Sequence, residues 1–228
     1  MDKHWKCFGI KQKGLRHECK GLECQDVIDI KEYDEKISMA LLDGRGDSDA
    51  NALSVPKIAE RLNNFMIRFY EKICSEDKET IAYNLMIQIE RCIEELSSEL
   101  QADYKELAST LLVFCIDKKS NTYCCLHLGD GAIAIKDSEK KVWILSKPTN
   151  GENDRQTILS TSECAVNYVK VYRGVINDIQ EIMMVSDGIY QASEKMEQME
   201  YYFSQDSENA ILEKGIDDRS LIKMYRVV

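Results

Sequence analysis

The chain has 228 residues, 44% of them hydrophobic, which is enough for one domain with a substantial core and little beyond it. Its formal charge of −10 and pI near 5.0 exclude the basic face that a nucleic-acid groove or an anionic membrane demands, so neither is expected as a partner. The opening residues lack the basic start and apolar core of a secretion signal, and the most apolar run, residues 111–116, is too short to span a bilayer, so a cytoplasmic protein is expected.

In chain order, the first clear apolar run is residues 37–42, which ends at Asp43-Gly44. From residue 48 to about 74, Ile58, Leu62, Phe65, Phe69 and Ile73 recur at helical spacing, with Ser48 or Ser54 available as N-cap. Residues 79–100 repeat the pattern through Ile81, Leu85, Ile89, Cys92, Ile93 and Leu96. Strands are predicted over residues 110–116, 122–128, 132–136, 142–145, 166–175, 182–185 and 220–227. Strands, two long helices, then many strands imply an α+β domain in which helices cover largely antiparallel sheets. With only Pro56 and Pro148 as prolines, and no repeat or low-complexity tract, residues 1–228 read as a single domain.

The nine cysteines are scattered and form no C-x-x-C pair; Cys115, Cys124 and Cys125 fall inside apolar runs, where a free thiol acts as a small hydrophobe. More telling are the aspartates at the ends of apolar runs: Asp43-Gly44, Asp130-Gly131, Asp187-Gly188 and Asp217-Asp218. Asp-Gly is also the commonest tight hairpin turn. If the strands share a sheet, however, the carboxylates meet, and such a cluster calls for a cation that prefers oxygen ligands. The residues alone leave both readings open.

Seven segments, in order, resemble the metal-dependent serine/threonine protein phosphatases of the 2C type in their bacterial form. They are Gly14-Leu15-Arg16-His17 with Cys24-Gln25-Asp26, then Leu42-Asp43-Gly44-Arg45-Gly46, then Ala108-Ser109-Thr110-Leu111, then Leu128-Gly129-Asp130-Gly131-Ala132. Asn150-Gly151-Glu152 with Thr157, Val185-Ser186-Asp187-Gly188, and Asp217-Asp218-Arg219-Ser220-Leu221 complete the series. The resemblance implies a four-layer α-β-β-α sandwich, two antiparallel sheets flanked by helix pairs. It further implies two Mn²⁺ or Mg²⁺ ions, with Asp43 bridging them, the Gly44 carbonyl binding one, and Asp187 and Asp217 completing the other. By the same resemblance Asp26 would hold water at the metals, and Asp130 with Asp187 would recruit a third, weaker ion. The implied reaction is hydrolysis of phosphoserine or phosphothreonine in proteins by metal-activated water, with no cysteine nucleophile. A stand-alone catalytic domain is expected.

The arginine that the family often places shortly before its first acidic motif has no counterpart at the usual spacing. Arg16, farther ahead of Asp26, and Arg45, beside Asp43-Gly44, are the candidates for holding phosphate, and His17 is a candidate proton donor. His127, between apolar neighbours, reads as a core residue. Residues 147–163 form a polar stretch that resembles the family's substrate-facing flap. The partner implied is a phosphoprotein, with a monomer as the default state. The unassigned arginine keeps open a weakly active or inactive regulatory, phosphoprotein-binding module, and the residues alone also allow a small-molecule phosphohydrolase.

Overall fold

The computed structural model describes residues 4–46, 48–149, 157–190, 196–204 and 214–227. Among them the strands are β1 (His4–Gln12), β2 (Asp26–Tyr33), β3 (Lys36–Asp43), β4 (Leu111–Asp117), β5 (Thr122–Leu128), β6 (Ala132–Asp137), β7 (Val142–Ser146), β8 (Lys170–Val175), β9 (Ile179–Val185) and β10 (Arg219–Val227). The helices are α1 (Leu15–Lys20), α2 (Asp49–Arg68), α3 (Tyr70–Ser75), α4 (Lys78–Leu100), α5 (Asp187–Tyr190) and α6 (Met196–Ser204). All strand pairing is antiparallel, in two five-stranded sheets ordered β1-β10-β9-β6-β7 and β2-β3-β4-β5-β8.

The strand sequences explain why the sheets stack. Alternate residues of a strand face opposite sides. In β4, Leu112, Phe114 and Ile116 pack between the two sheets, while Leu111, Val113 and Cys115 face α2, α3 and α4. In β9, Ile182 and Met184 likewise point between the sheets, and Met183 and Val185 meet α5 and α6. A strand covered on both faces has no place for polar residues, which is why these segments read as unbroken apolar runs. The result is the expected α-β-β-α order of layers. Among the described residues no helix is long and apolar enough to cross a membrane.

Several elements differ from expectation. The helix predicted over residues 48–74 breaks at Phe69, whose φ of −107° and ψ of 16° leave the helical range; this turns Tyr70 and Ile73 inward. Of the two candidate caps, Ser48 accepts from the Asn51 N–H at 3.1 Å. The strand predicted over 166–175 begins as a 3-10 turn, Ala165–Tyr168, before β8. β1 and β2 escape sequence reading because they cover one face only and alternate apolar residues with lysine, glutamate and aspartate.

Phe114 is fully buried between the sheets and stacks on Tyr123 at 5.0 Å between ring centroids. Phe114→Ala is expected to lower stability by about 3–5 kcal/mol, whereas Tyr33→Ala, at the exposed end of β2, is expected to change it by about 0.5 kcal/mol or less. Urea denaturation of the two variants checks both.

Candidate metal centre

Strand direction collects the aspartates. The C-terminal ends of β3, β5 and β9 and the N-terminal ends of β2, β4, β6 and β10 all lie at one end of the sandwich. Asp26 opens β2 directly opposite Asp43, which closes β3. Asp130 sits where the chain crosses from the end of β5 in one sheet to the start of β6 in the other. That crossing needs its glycines: Gly129 has φ +119°, and a Cβ on Gly131 would stand 2.6 Å from the Val185 carbonyl oxygen. Asp187 follows β9 and opens α5, and Asp217 precedes β10.

Asp43, Asp130 and Asp187 each bring a carboxylate oxygen within 4.8 Å of the others. They line a hollow of about 190 Å³ together with Arg16, His17, Gly44, Arg45, Thr110, Thr157 and Asp217. A larger hollow of about 410 Å³, between the start of α4 and β8, contains none of these residues. The chemistry belongs to the smaller one, because the carboxylates converge there. Asp217 lines it but stands outside the triad; its side chain is 46% exposed and lies 4.0 Å from Arg16 Nη1. The structure thus groups Asp130, rather than Asp217, with Asp43 and Asp187. Residues 150–156 of the expected flap lie outside the described residues. Thr157, which follows them, donates its hydroxyl to Asp130 Oδ2.

Charge crowding shows in the acidities. Burial, followed by the charges of Asp26, Asp187, Asp130 and Asp217, pushes Asp43 well above the ordinary carboxylate range. Burial, then Asp130, Asp217 and Asp26, raises Asp187 to about 7. Burial raises Asp26 to about 6, with the Ser220 and Ser186 hydroxyls opposing the shift and Asp218 and Asp217 adding to it. Both Asp26 oxygens are sealed from solvent and neither makes a hydrogen bond of ordinary geometry. A sealed carboxylate in that condition beside three clustered ones is an oxygen donor set short of positive charge, and it fits a hard divalent cation.

Four residues missing from the predicted site hold it in shape. Asp218 is buried where Asp217 is not. It accepts the Gly14 N–H at 2.7 Å, the Gln25 N–H at 2.7 Å and His17 Nδ1 at 2.9 Å, tying α1 and the approach to β2 onto the start of β10. Burial raises its pKa, but these bonds outweigh that and hold it below the usual value. Thr110 Oγ1 accepts the Asp43 N–H at 2.8 Å. Asn51 Nδ2 donates to the Glu106 and Ala108 carbonyls, each at 3.0 Å, and its Oδ1 lies so close to Gly44 that a Cβ there would stand 1.9 Å away. His127, fully buried, donates Nε2–H to the Gly129 carbonyl at 3.1 Å and accepts from Ser146 Oγ at 2.6 Å. Burial and then Lys170 lower it to about 3, so it stays neutral and steadies the crossing. Three of the four carry a sequence signal, Thr110 in the Ala108-Ser109-Thr110-Leu111 segment, His127 between apolar neighbours and Asp218 in the tandem with Asp217, whereas Asn51 carries none.

The sequence profile of the family described as Protein phosphatase 2C matches residues 13–217. No curated protein matches the chain. Among solved structures, the serine/threonine phosphatase of S. agalactiae is similar at TM-score 0.70 and 14% identity, covering 97% of this chain and 99% of that one. Serine/threonine phosphatase Stp1 from Staphylococcus aureus is similar at TM-score 0.68 and 12% identity, covering 97% and 95%. RsbX, solved in complex with magnesium, is similar at TM-score 0.54 and 13% identity, covering 98% and 96%.

With metal withheld by EDTA, the raised carboxyls give a definite pH dependence. A folded-state pKa above the unfolded value means the folded chain binds the extra proton. The associated stability is full below the ordinary carboxylate pKa of about 3.9. It is lost as pH rises through about 6 for Asp26 and about 7 for Asp187. The thermal midpoint in EDTA is expected to fall from about pH 5 to about pH 8, and Asp43→Asn or Asp187→Asn is expected to flatten that fall. An identical slope in both variants would show that the crowding is not felt.

Proposed function

As the chain belongs to the protein phosphatase 2C family, we propose that it hydrolyses phosphoserine and phosphothreonine in proteins at a centre of two divalent cations. The observation that carries this is the convergence of Asp43, Asp130 and Asp187 to within 4.8 Å in a hollow that also presents Arg16 and Arg45. Asp43, Gly44, Asp187 and Asp217 are the proposed ligands, with Asp130 beside a further, weaker position. Bound there, Mn²⁺ or Mg²⁺ supplies the positive charge that activates water and neutralises the phosphoryl group.

The chain's own residues account for the rest. Arg16 and Arg45 bind phosphoryl oxygens at the mouth, where a planar guanidinium can make paired hydrogen bonds. Asp26, opposite Asp43 in register, is the carboxylate that would hold water at the metals. His17, its ring oriented by Asp218, is the donor for the departing alkoxide. A hollow of about 190 Å³ has room for the phosphoryl end of a side chain and leaves the rest of the phosphoprotein on the surface. Thr157, tied to Asp130, joins the 147–163 segment to the site, which supports a role for that segment in meeting the substrate.

A second reading, a phosphoprotein-binding module with little turnover, draws on one observation. Asp217 and Arg16 lie 4.0 Å apart, so a proposed ligand and a proposed phosphate-binding group engage each other.

Hydrolysis of para-nitrophenyl phosphate and of a phosphothreonine peptide, with and without millimolar Mn²⁺, separates the two. The expected result is Mn²⁺-dependent turnover that EDTA abolishes and that Asp43→Asn or Asp187→Asn lowers by about 100-fold or more. Metal binding without turnover would favour the second reading, and turnover retained in both variants would sink the ligand assignment. Arg16→Ala and Arg45→Ala, measured in the same assay, are expected to raise KM for the peptide more than they lower kcat.

A further inference from the structure

The end of the sandwich opposite the aspartates carries a second cluster of reactive groups. Register places Cys124 of β5 directly opposite Cys115 of β4 on one side and Arg173 of β8 on the other. Cross-strand partners share a face. Here it is the face turned toward the helices, where Cys115 and Cys124 are fully buried.

α3 lies over this end of the sheet, and two hydrogen bonds bracket its only cysteine. At its start, the Tyr70 hydroxyl bonds Thr122 Oγ1 at 2.9 Å; just past its end, Arg173 Nη2 donates to the Glu76 carbonyl at 2.6 Å. Between them, half-buried Cys74 packs onto the core that contains Cys124, and the two thiols interact. We propose that Cys74 and Cys124 form a peroxide-reactive dithiol site, in which Cys74 attacks, Cys124 resolves, and a Cys74–Cys124 disulfide is the product.

The two thiols suit different roles. The hydrogen bond from Cys124 does most to lower Cys74, to about 7; burial opposes it, Tyr70 and Arg173 add to it, and Glu71 opposes it. That shift favours the thiolate, the form that reacts. Burial pushes Cys124 well above the usual thiol range, so it stays a thiol until an activated sulfur stands beside it. Burial also takes Cys7 up to about 12, which removes it as a competitor. The Arg173 guanidinium beside the cluster disfavours a cation and favours an anionic sulfur.

The chemistry balances with a hydroperoxide as oxidant. Cys74 thiolate attacks one peroxide oxygen, the O–O bond breaks, and Cys74 becomes a sulfenic acid as hydroxide leaves and takes up a proton. The Cys124 sulfur then attacks the Cys74 sulfur. An S–S bond forms, the S–O bond breaks, and the Cys124 proton leaves with the hydroxyl as water. Two thiols and one hydrogen peroxide give one disulfide and two waters. This site is independent of the phosphatase reading, since none of its residues lines the metal centre.

The test uses the full chain, exposed to a few molar equivalents of hydrogen peroxide at pH 7, followed by alkylation and peptide mapping. Fragmentation must distinguish Cys124 from Cys125, which faces the other core. The expected product joins residues 74 and 124 with loss of two thiols per chain, ahead of oxidation at the exposed Cys19 and Cys164. Cys74→Ser is expected to abolish it, and Cys124→Ala to leave a sulfenic acid at Cys74 that dimedone traps. Should Cys124→Ala fail to fold, the map of the unaltered chain decides alone. Oxidation of Cys19 or Cys164 first, or of Cys74 with Cys124 still free, would overturn the proposal.

Discussion

The oxygens of Asp43, Asp130 and Asp187 stand within 4.8 Å of one another, and like charges at that range repel strongly where water is scarce, so the rest of the fold has to hold them there. No single contact does so. Two sheets share the apolar core built around Phe114, Met39, Met184 and Ile222, and a layer of helix contacts closes each of the two outer faces. Burying that much apolar surface far from the site lets the strand ends remain crowded. The acid end is a place where local electrostatics oppose folding and a bound cation would reverse their sign.

Positioning falls mainly to the backbone and to neutral side chains. Thr110 and Asn51 grip the Asp43-Gly44 turn, and His127 holds the Gly129 carbonyl at the crossing between sheets. None of these groups adds charge to an already crowded site. Asp218 is the exception. It tolerates burial because two backbone N–H groups and His17 satisfy it, which is what separates it from its neighbour Asp217 at the mouth. Adjacent aspartates thus serve as a structural anchor and a pocket wall.

The same strands serve both ends of the sandwich. β4 and β5 run from Thr110 and Gly129, beside the acids, to Cys115 and Cys124, beneath α3. This strand pair is packed on both faces. It keeps the acids in place at one end and keeps two thiols and Arg173 in register at the other.

The sequence by itself determined the layers and the family. Unbroken apolar runs mark strands covered on both faces, the helical spacing of Ile58, Leu62 and Phe65 marks the covering helix, and Asp-Gly at strand ends fits a tight turn as well as an acid cluster. These are local signals, carried by a few neighbouring residues. The edge strands β1 and β2 stayed hidden because one solvated face dilutes their pattern with charge. Which carboxylates meet was decided only by tertiary structure: Asp130 joins the triad because the chain changes sheets at Gly129, while Asp217 is held at the mouth opposite Arg16. Asp218 bonds to Gly14, 204 residues away, and Cys74 comes over the far end of β5 only because the helix breaks at Phe69, between α2 and α3. Contacts between segments so distant depend on register and on crossings between sheets, and those are properties of the assembled chain.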